Sequence, residues 1–146
     1  MRPTSRARMP GGRLLACGPV DTALLLIRIA LGTVFLAYGA QKWAGGMDRF
    51  VALLMTIRIP FPEVTARGVA LLETVGGALL LLGLWTRPVA ALLACEMVVA
   101  IVRVVWPRGF VGGFAFEFVL LCTALALAIA GGGRIGLGRG CLERTD

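Results

Sequence analysis

The chain has 146 residues, of which 58% are hydrophobic and 16% are charged, and its formal net charge is +7. A soluble domain carries about 25% charged residues, and a core of this size cannot bury so much apolar surface. We therefore exclude a soluble globular protein and expect an integral membrane protein with the lipid bilayer as its partner. The basic residues lie mainly at the chain ends and helix ends, which membrane topology explains better than phosphate contacts, so no nucleic-acid partner is expected.

The sequence contains no histidine, and its four cysteines form no CxxC pair. Histidine is the commonest metal ligand and a frequent haem ligand, and the cysteine spacings match no zinc or iron–sulfur pattern. We therefore predict no metal site. No redox centre or catalytic motif is visible in the sequence, so whether the protein is an enzyme stays open at this point.

A basic tail, residues 1–19, precedes the first predicted span, residues 20–43. At a rise of about 1.5 Å per residue, roughly 20 helical residues cross the hydrocarbon layer of a bilayer. One face of this helix combines small and charged residues, namely Arg28, Gly32, Phe35, Gly39 and Lys42. Such a face is expected to pack against other helices and not against lipid.

Residues 44–62 are too short and too charged to cross the membrane. Asp48 can cap a new helix there, and three apolar residues, Phe50, Leu54 and Ile57, fall on one helix face. The pattern predicts a short amphipathic helix at the outer membrane interface. A lid over an outer opening is the functional alternative for this segment.

Three further spans are predicted at residues 63–85, 88–106 and 114–130, followed by a glycine-rich tail, residues 132–146. The predicted fold is an all-α membrane protein whose transmembrane domain, residues 20–131, is a bundle of four helices. Four spans bring both chain ends to one side of the membrane, and both tails are rich in arginine. The positive-inside rule then places both termini in the cytoplasm of a multi-pass plasma (inner) membrane protein.

Five ionisable residues lie inside the predicted spans: Arg28, Glu73, Glu96, Arg103 and Glu117. Each costs roughly 2.5–3.5 kcal/mol at the centre of a membrane helix, so these residues are expected to face the bundle interior and to pair. Counting residues from the helix ends predicts an inner pair of Arg28 with Glu96. It also predicts an outer layer with two acids, Glu73 and Glu117, against one cation, Arg103.

The first span would close this outer layer with Tyr38, Gln41 and Lys42. The surplus acid of the layer needs either Lys42 or a proton to balance its charge. Two interpretations follow from the same residues. The charges either hold four helices in register as interhelical polar contacts, or form a polar pocket that binds a small molecule or relays protons.

Several short motifs follow one another in a defined order along most of the chain. They are Arg28 with Gly32, the run YGAQK at 38–42, Glu73 with Gly76-Gly77, the run LGLWTR at 82–87, Glu96-Met97, the run PRGF at 107–110, Gly112-Gly113 and Glu117. Their order and spacing from about residue 24 to 139 resemble the DoxX family of small four-helix membrane proteins. The chain departs from the family at Tyr38, where histidine is frequent, and in the tail, which reads GGGRIGLG at 131–138.

The resemblance implies an accessory subunit of a membrane system for redox chemistry or oxidative stress. Such a subunit would bind a quinone or another small apolar ligand near Glu73, Arg103 and Glu117, and would associate with soluble or membrane redox proteins, or with further copies of itself. Two alternatives come from other classes of protein. One is a small proton-coupled transporter in which Arg28 and Glu96 form a gate, and the other is a non-catalytic membrane scaffold.

Overall fold

The computed structural model of the chain describes residues 18–133 and Gly136, and the regular structure of these residues is helical. Five α-helices follow one another: α1 (Pro19–Gln41), α2 (Met47–Thr56), α3 (Pro62–Leu82), α4 (Thr86–Ala100) and α5 (Ala115–Ala130). The predicted tails, residues 1–19 and 132–146, lie almost wholly outside the described residues.

Four helical stretches between residues 18 and 133 are long and apolar enough to cross a membrane. They cover Pro19–Thr56, Pro62–Leu82, Thr86–Arg108 and Phe110–Ala130, and each contains an 18-residue window with a mean hydropathy between 1.5 and 2.2. Helix α4 is lengthened by a π-helical turn, Ile101–Val105, which is wider than an α-helical turn, and by a short 3-10 turn that ends at Arg108. The chain is a four-helix membrane bundle, so the predicted fold class is confirmed.

The first span ends at a break that separates α1 from the short helix α2. The chain leaves the helix at Gly45, whose φ of 117° is open to glycine and strained for other residues. Helix α2 then begins, and Leu54 is its buried residue. The residue that caps α2 is Gly46, so the predicted capping role of Asp48 is wrong. Asp48 lies in the first turn instead, where its charge favours the positive end of the helix dipole.

Helices α1 and α3 pack against each other through glycine, with their backbones in direct contact. A Cβ atom added to Gly77 would lie 2.6 Å from the Leu36 nitrogen and 2.7 Å from the Gly32 oxygen. A Cβ atom on Gly39 would meet Thr74 of α3. The predicted packing face of the first span is therefore confirmed. The close approach of the two backbones also sets the distance between the side chains of Lys42 and Glu73.

The apolar core lies between the two helix pairs. Its largest fully buried side chains are Phe35, Leu80, Leu93 and Leu127, one from each long helix. Helix α1 packs mainly against α3, and α4 packs mainly against α5. We call the end of the bundle where α1 ends and α3 begins the lysine end, after Lys42. The opposite end, where α1 begins and α3 ends, is the arginine end, after Arg28.

Candidate functional site

Three ionisable side chains from three elements meet near the lysine end. Lys42, directly after α1, forms a salt bridge with Glu73 of α3, and the two side chains are only 15% and 5% exposed. Glu96 of α4 lies within hydrogen-bonding reach of Glu73 and close enough to Lys42 to feel its charge. We call Lys42, Glu73 and Glu96 the acid cluster. It links α1, α3 and α4 across the bundle.

The acid cluster contains two carboxyl groups and one ammonium group. Ionised carboxylates only accept hydrogen bonds, so a hydrogen bond between Glu73 and Glu96 requires one proton shared by the pair. Two like charges in contact inside an apolar bundle would be strongly unfavourable without that proton. With it, the cluster of one carboxylate, one carboxylic acid and one Lys42 ammonium is neutral. The arrangement can therefore hold a proton and donate hydrogen bonds to a ligand oxygen.

Two buried carboxyl oxygens at this end of the bundle have no hydrogen-bond partner in the described part of the chain. They are Oε2 of Glu96 and Oε2 of Glu117, which lies in the first turn of α5. Leaving a buried acceptor unsatisfied costs about 1–3 kcal/mol. Each such atom is therefore a place where the hydroxyl or amine of a bound molecule would be stabilised.

The remaining residues predicted from the first span do not enter the acid cluster. Tyr38 is 48% exposed and packs against the ring of Phe116 with a centroid distance of 6.2 Å. Gln41 is exposed on the surface beside Lys42. Of the three residues expected to close the outer layer, Lys42 alone forms a salt bridge with an acid of that layer among the described residues.

The structure places Arg103 differently from the prediction. Its Nη2 donates a hydrogen bond of 3.0 Å to the carbonyl of Ile57, directly after α2, and the bond is exposed. The predicted pairing of Arg103 with the acids of the outer layer is therefore wrong. The cause is the wide turn Ile101–Val105, whose extra residue per turn changes the face on which residue 103 falls. Arg103 instead satisfies an unpaired carbonyl at the C-terminal end of α2.

Arg28 is buried, with only 3% of its surface exposed, so its predicted inward orientation is confirmed. Its predicted partner is wrong, because within the described chain no ion pair joins Arg28 to Glu96. Its Nη1 donates a hydrogen bond of 2.9 Å to the carbonyl of Gly132, directly beyond α5. A Cβ atom on Gly83, just after α3, would lie 2.7 Å from the same nitrogen. Arg28 thus lies between the C-terminal ends of α3 and α5.

A second arginine supports the same end of α5. Nη2 of Arg87 donates a hydrogen bond of 2.7 Å to the carbonyl of Ile129. The last carbonyls of a helix have no partner within the helix and carry partial negative charge, so arginine side chains are favourable there. Arg87 therefore caps α5, and Arg28 binds the carbonyl of Gly132 just beyond it. Sequence reasoning missed this role, although the glycine run at 131–133 signalled a place where a side chain could approach the backbone closely.

The direction of helical side chains explains why Lys42, and not Arg28, lies near Glu73 and Glu96. Side chains on a helix tilt toward its N-terminus. Lys42 therefore reaches back from the lysine end toward the acids. Arg28 lies on the same helix and tilts the same way, so it reaches away from the acids toward the end of α5.

An open cleft with a volume of about 530 Å³ adjoins Lys42 between the end of α1 and α2. It is lined by Gln41, Lys42, Ala44, Gly45, Gly46, Arg49, Phe50 and Leu53. Nζ of Lys42 lies 4.7 Å from the centroid of the Phe50 ring, a cation–π distance. The same ammonium group therefore contacts the acid cluster on one side and a wall of the cleft on the other.

Comparison with known proteins gives two kinds of match. A family model described as DoxX matches residues 23–106. The chain is 33% identical over 111 residues to the Bacillus subtilis protein named "Putative oxidoreductase CatD", covering 76% of this chain and 81% of that one. It is 34% identical over 136 residues to "Uncharacterized membrane protein Rv3486" of Mycobacterium tuberculosis, covering 84% and 83%. No solved structure matches the chain.

Proposed function

The chain belongs to the DoxX family, and from this premise we propose that it is an accessory membrane subunit of a redox system that binds a quinone-like ligand at the acid cluster. The observation that carries the proposal is the meeting of Lys42, Glu73 and Glu96 inside an apolar bundle. Ionisable residues at such depth are expensive and typically mark ligand or proton pathways. The name of one relative, a putative oxidoreductase, supports the redox context.

The residues of the acid cluster fit the head group of a quinone. A Lys42 ammonium has three donors and a carboxylic acid has one, so the cluster can donate to a carbonyl oxygen. The unpartnered Oε2 atoms of Glu96 and Glu117 can accept from hydroxyl groups of the reduced form. The cluster also holds a proton, which a quinone system takes up and releases along with electrons. The quinone supplies the electron chemistry, and the chain binds the quinone and positions a proton.

The proposal includes a location and partners. The protein lies in the plasma membrane with both termini in the cytoplasm, so the arginine end faces the cytoplasm and the acid cluster lies in the outer half of the bilayer. The presence of Arg87 at the arginine end supports this orientation. Soluble or membrane redox proteins, or further copies of the chain, complete the system.

Ligand analysis of the purified full-length protein tests the proposal. Solvent extracts of the protein in detergent are analysed by mass spectrometry, and native mass spectrometry gives subunit and ligand number together. We expect close to one quinone per chain in the wild type. The variant Glu73→Gln should retain at most roughly one tenth of the quinone that the wild type binds, because it loses one buried charge-assisted contact. The matched control is Glu63→Gln, an exposed glutamate in the first turn of the same helix. A wild type without quinone, or equal loss in both variants, would refute the proposal.

A small proton-coupled transporter is the second candidate, and the meeting of two acids and one lysine in the acid cluster is the observation that favours it. The gate that this alternative assigned to Arg28 and Glu96 does not form, because the two residues have different partners. Proton-linked uptake of a solute into proteoliposomes, absent when Glu73 and Glu96 are both replaced by glutamine, would favour the transporter over the accessory subunit.

A further inference from the structure

We propose that the cleft beside Lys42 binds a small organic anion, and that Lys42 then leaves Glu73 to pair with this anion while the two buried carboxyls take up one proton. The proposal goes beyond a quinone site. It rests on the cleft and on the charge balance of the acid cluster, so it holds or fails independently of whether a quinone binds.

The lining of the cleft sets the chemical class of its ligand. Two cations, Lys42 and Arg49, face it together with the amide of Gln41, and the walls formed by Phe50 and Leu53 are apolar. A carboxylate or phenolate would pair with the guanidinium of Arg49, which is suited to planar anions. The apolar walls would cover a ring attached to that anionic group. The volume of about 530 Å³ lies in the usual range for small-molecule sites.

Lys42 is placed so that a small motion transfers it from the acid cluster to the cleft. Its ammonium donates a hydrogen bond to Glu73 and at the same time lies 4.7 Å from the centre of the Phe50 ring. A lysine ammonium is a compact charge on a flexible stem of four carbons. An anion bound against Phe50 therefore competes with Glu73 for the same cation without any movement of the helices.

The charge count then requires a proton. Before binding, Glu73 and Glu96 share one proton, and their single negative charge is balanced by Lys42. Once the anion pairs with Lys42, that negative charge remains in apolar surroundings with no cation. Uptake of one proton from water makes both acids neutral. One proton is therefore taken up for each anion bound.

The other charged groups around the cluster do not replace Lys42. Arg49 on α2 faces the cleft and would itself pair with the anion. Arg103, beyond α4, donates to the carbonyl of Ile57. The group contributed by α5 at this end is Glu117, an acid, which cannot balance a negative charge.

Calorimetry of benzoate binding to the purified full-length protein tests the proposal. Titrations near neutral pH in two buffers with different ionisation enthalpies give both the affinity and the number of protons exchanged. We expect saturable binding with about one proton taken up per benzoate, since benzoate is fully ionised there. The uncharged analogue benzamide should not bind. Wild-type protein that binds benzoate without proton uptake, or that does not bind it, would overturn the proposal.

Three variants separate the two parts of the proposal. Arg49→Gln, on the exposed side of α2, should weaken benzoate roughly tenfold and leave the proton count per bound benzoate unchanged. Lys42→Gln should weaken benzoate similarly and abolish proton uptake. The double variant Glu73→Gln with Glu96→Gln should still bind benzoate, with no proton taken up.

Contrary results are equally clear. Proton uptake that persists in the double variant, or unchanged affinity in Arg49→Gln, contradicts the mechanism. If Lys42→Gln and the double variant, which change buried residues, do not fold, the titration of Arg49→Gln still tests the proposal. A final titration uses a soluble short-chain phosphatidylglycerol. Saturable binding of this lipid with no binding of benzoate would assign the cleft to a lipid head group and overturn the proposal.

Discussion

The contact of α1 with α3 depends on Gly77, and we expect Gly77→Ala to lower the free energy of unfolding by about 2 kcal/mol. The added Cβ would lie 2.6 Å from the Leu36 nitrogen and 2.7 Å from the Gly32 oxygen, whereas ordinary contacts begin near 3.4 Å. The added Cβ would therefore lie about 0.8 Å too close to the Leu36 nitrogen. Because the opposing atoms belong to backbone, no side-chain rotation relieves the overlap, and α1 has to move away from α3.

The magnitude is the difference between two opposing effects. Overpacking of a tight contact costs about 1–3 kcal/mol and occasionally more, and we take the upper part of that range because two backbone atoms are involved. Replacing glycine by alanine inside a helix returns roughly 0.5–1 kcal/mol. The net loss is therefore about 2 kcal/mol. Since Gly39 and Thr74 meet along the same interface, the movement also loosens the side chains near Glu73.

Helix α3 offers a matched control. An added Cβ at Gly68 meets no atom within 4 Å, so Gly68→Ala should keep or raise the stability by up to about 1 kcal/mol. Both variants are purified in detergent and unfolded by titration with a denaturing detergent, with tryptophan fluorescence as the readout. If Gly77→Ala proves as stable as Gly68→Ala, the direct backbone contact between α1 and α3 is refuted.

Three further predictions concern the charged residues. Lys42→Met leaves the acids without their cation and should cost about 3–5 kcal/mol of stability in the same unfolding assay; a cost near zero would contradict the buried ion pair. Arg28→Met should cost about 1–3 kcal/mol because it leaves the partly buried carbonyl of Gly132 without its donor, and the exposed Arg87→Met should cost less, so the reverse order would contradict the role of Arg28 at this carbonyl. Arg103→Ala removes the hydrogen bond to Ile57 and should speed amide hydrogen exchange in α2 while leaving the exchange in α5 unchanged; unchanged exchange in α2 would show that this bond does not hold the helix in place.

Much of the fold was predictable from the order of residues along the chain. The length and apolar character of each span are local properties, since about 20 apolar residues are needed to cross a bilayer whatever the neighbours are. The amphipathic helix after the first span followed from the periodicity of Phe50, Leu54 and Ile57. The inward orientation of Arg28 also followed, because a charge facing lipid is too costly.

Lys42 was expected to close the layer that holds Glu73, and it does. The partners of Arg28, Glu96 and Arg103 were not predictable in the same way. Counting depth along each helix put Arg28 level with Glu96, but a depth does not say where a long side chain reaches. The tilt of side chains along α1 takes Lys42 to the acids and Arg28 away from them, and the wide turn after α4 moves Arg103 to another face. These outcomes depend on how four helices pack together, through contacts between residues far apart in the chain. For that reason the acid cluster and its cleft emerge only when the helices are assembled.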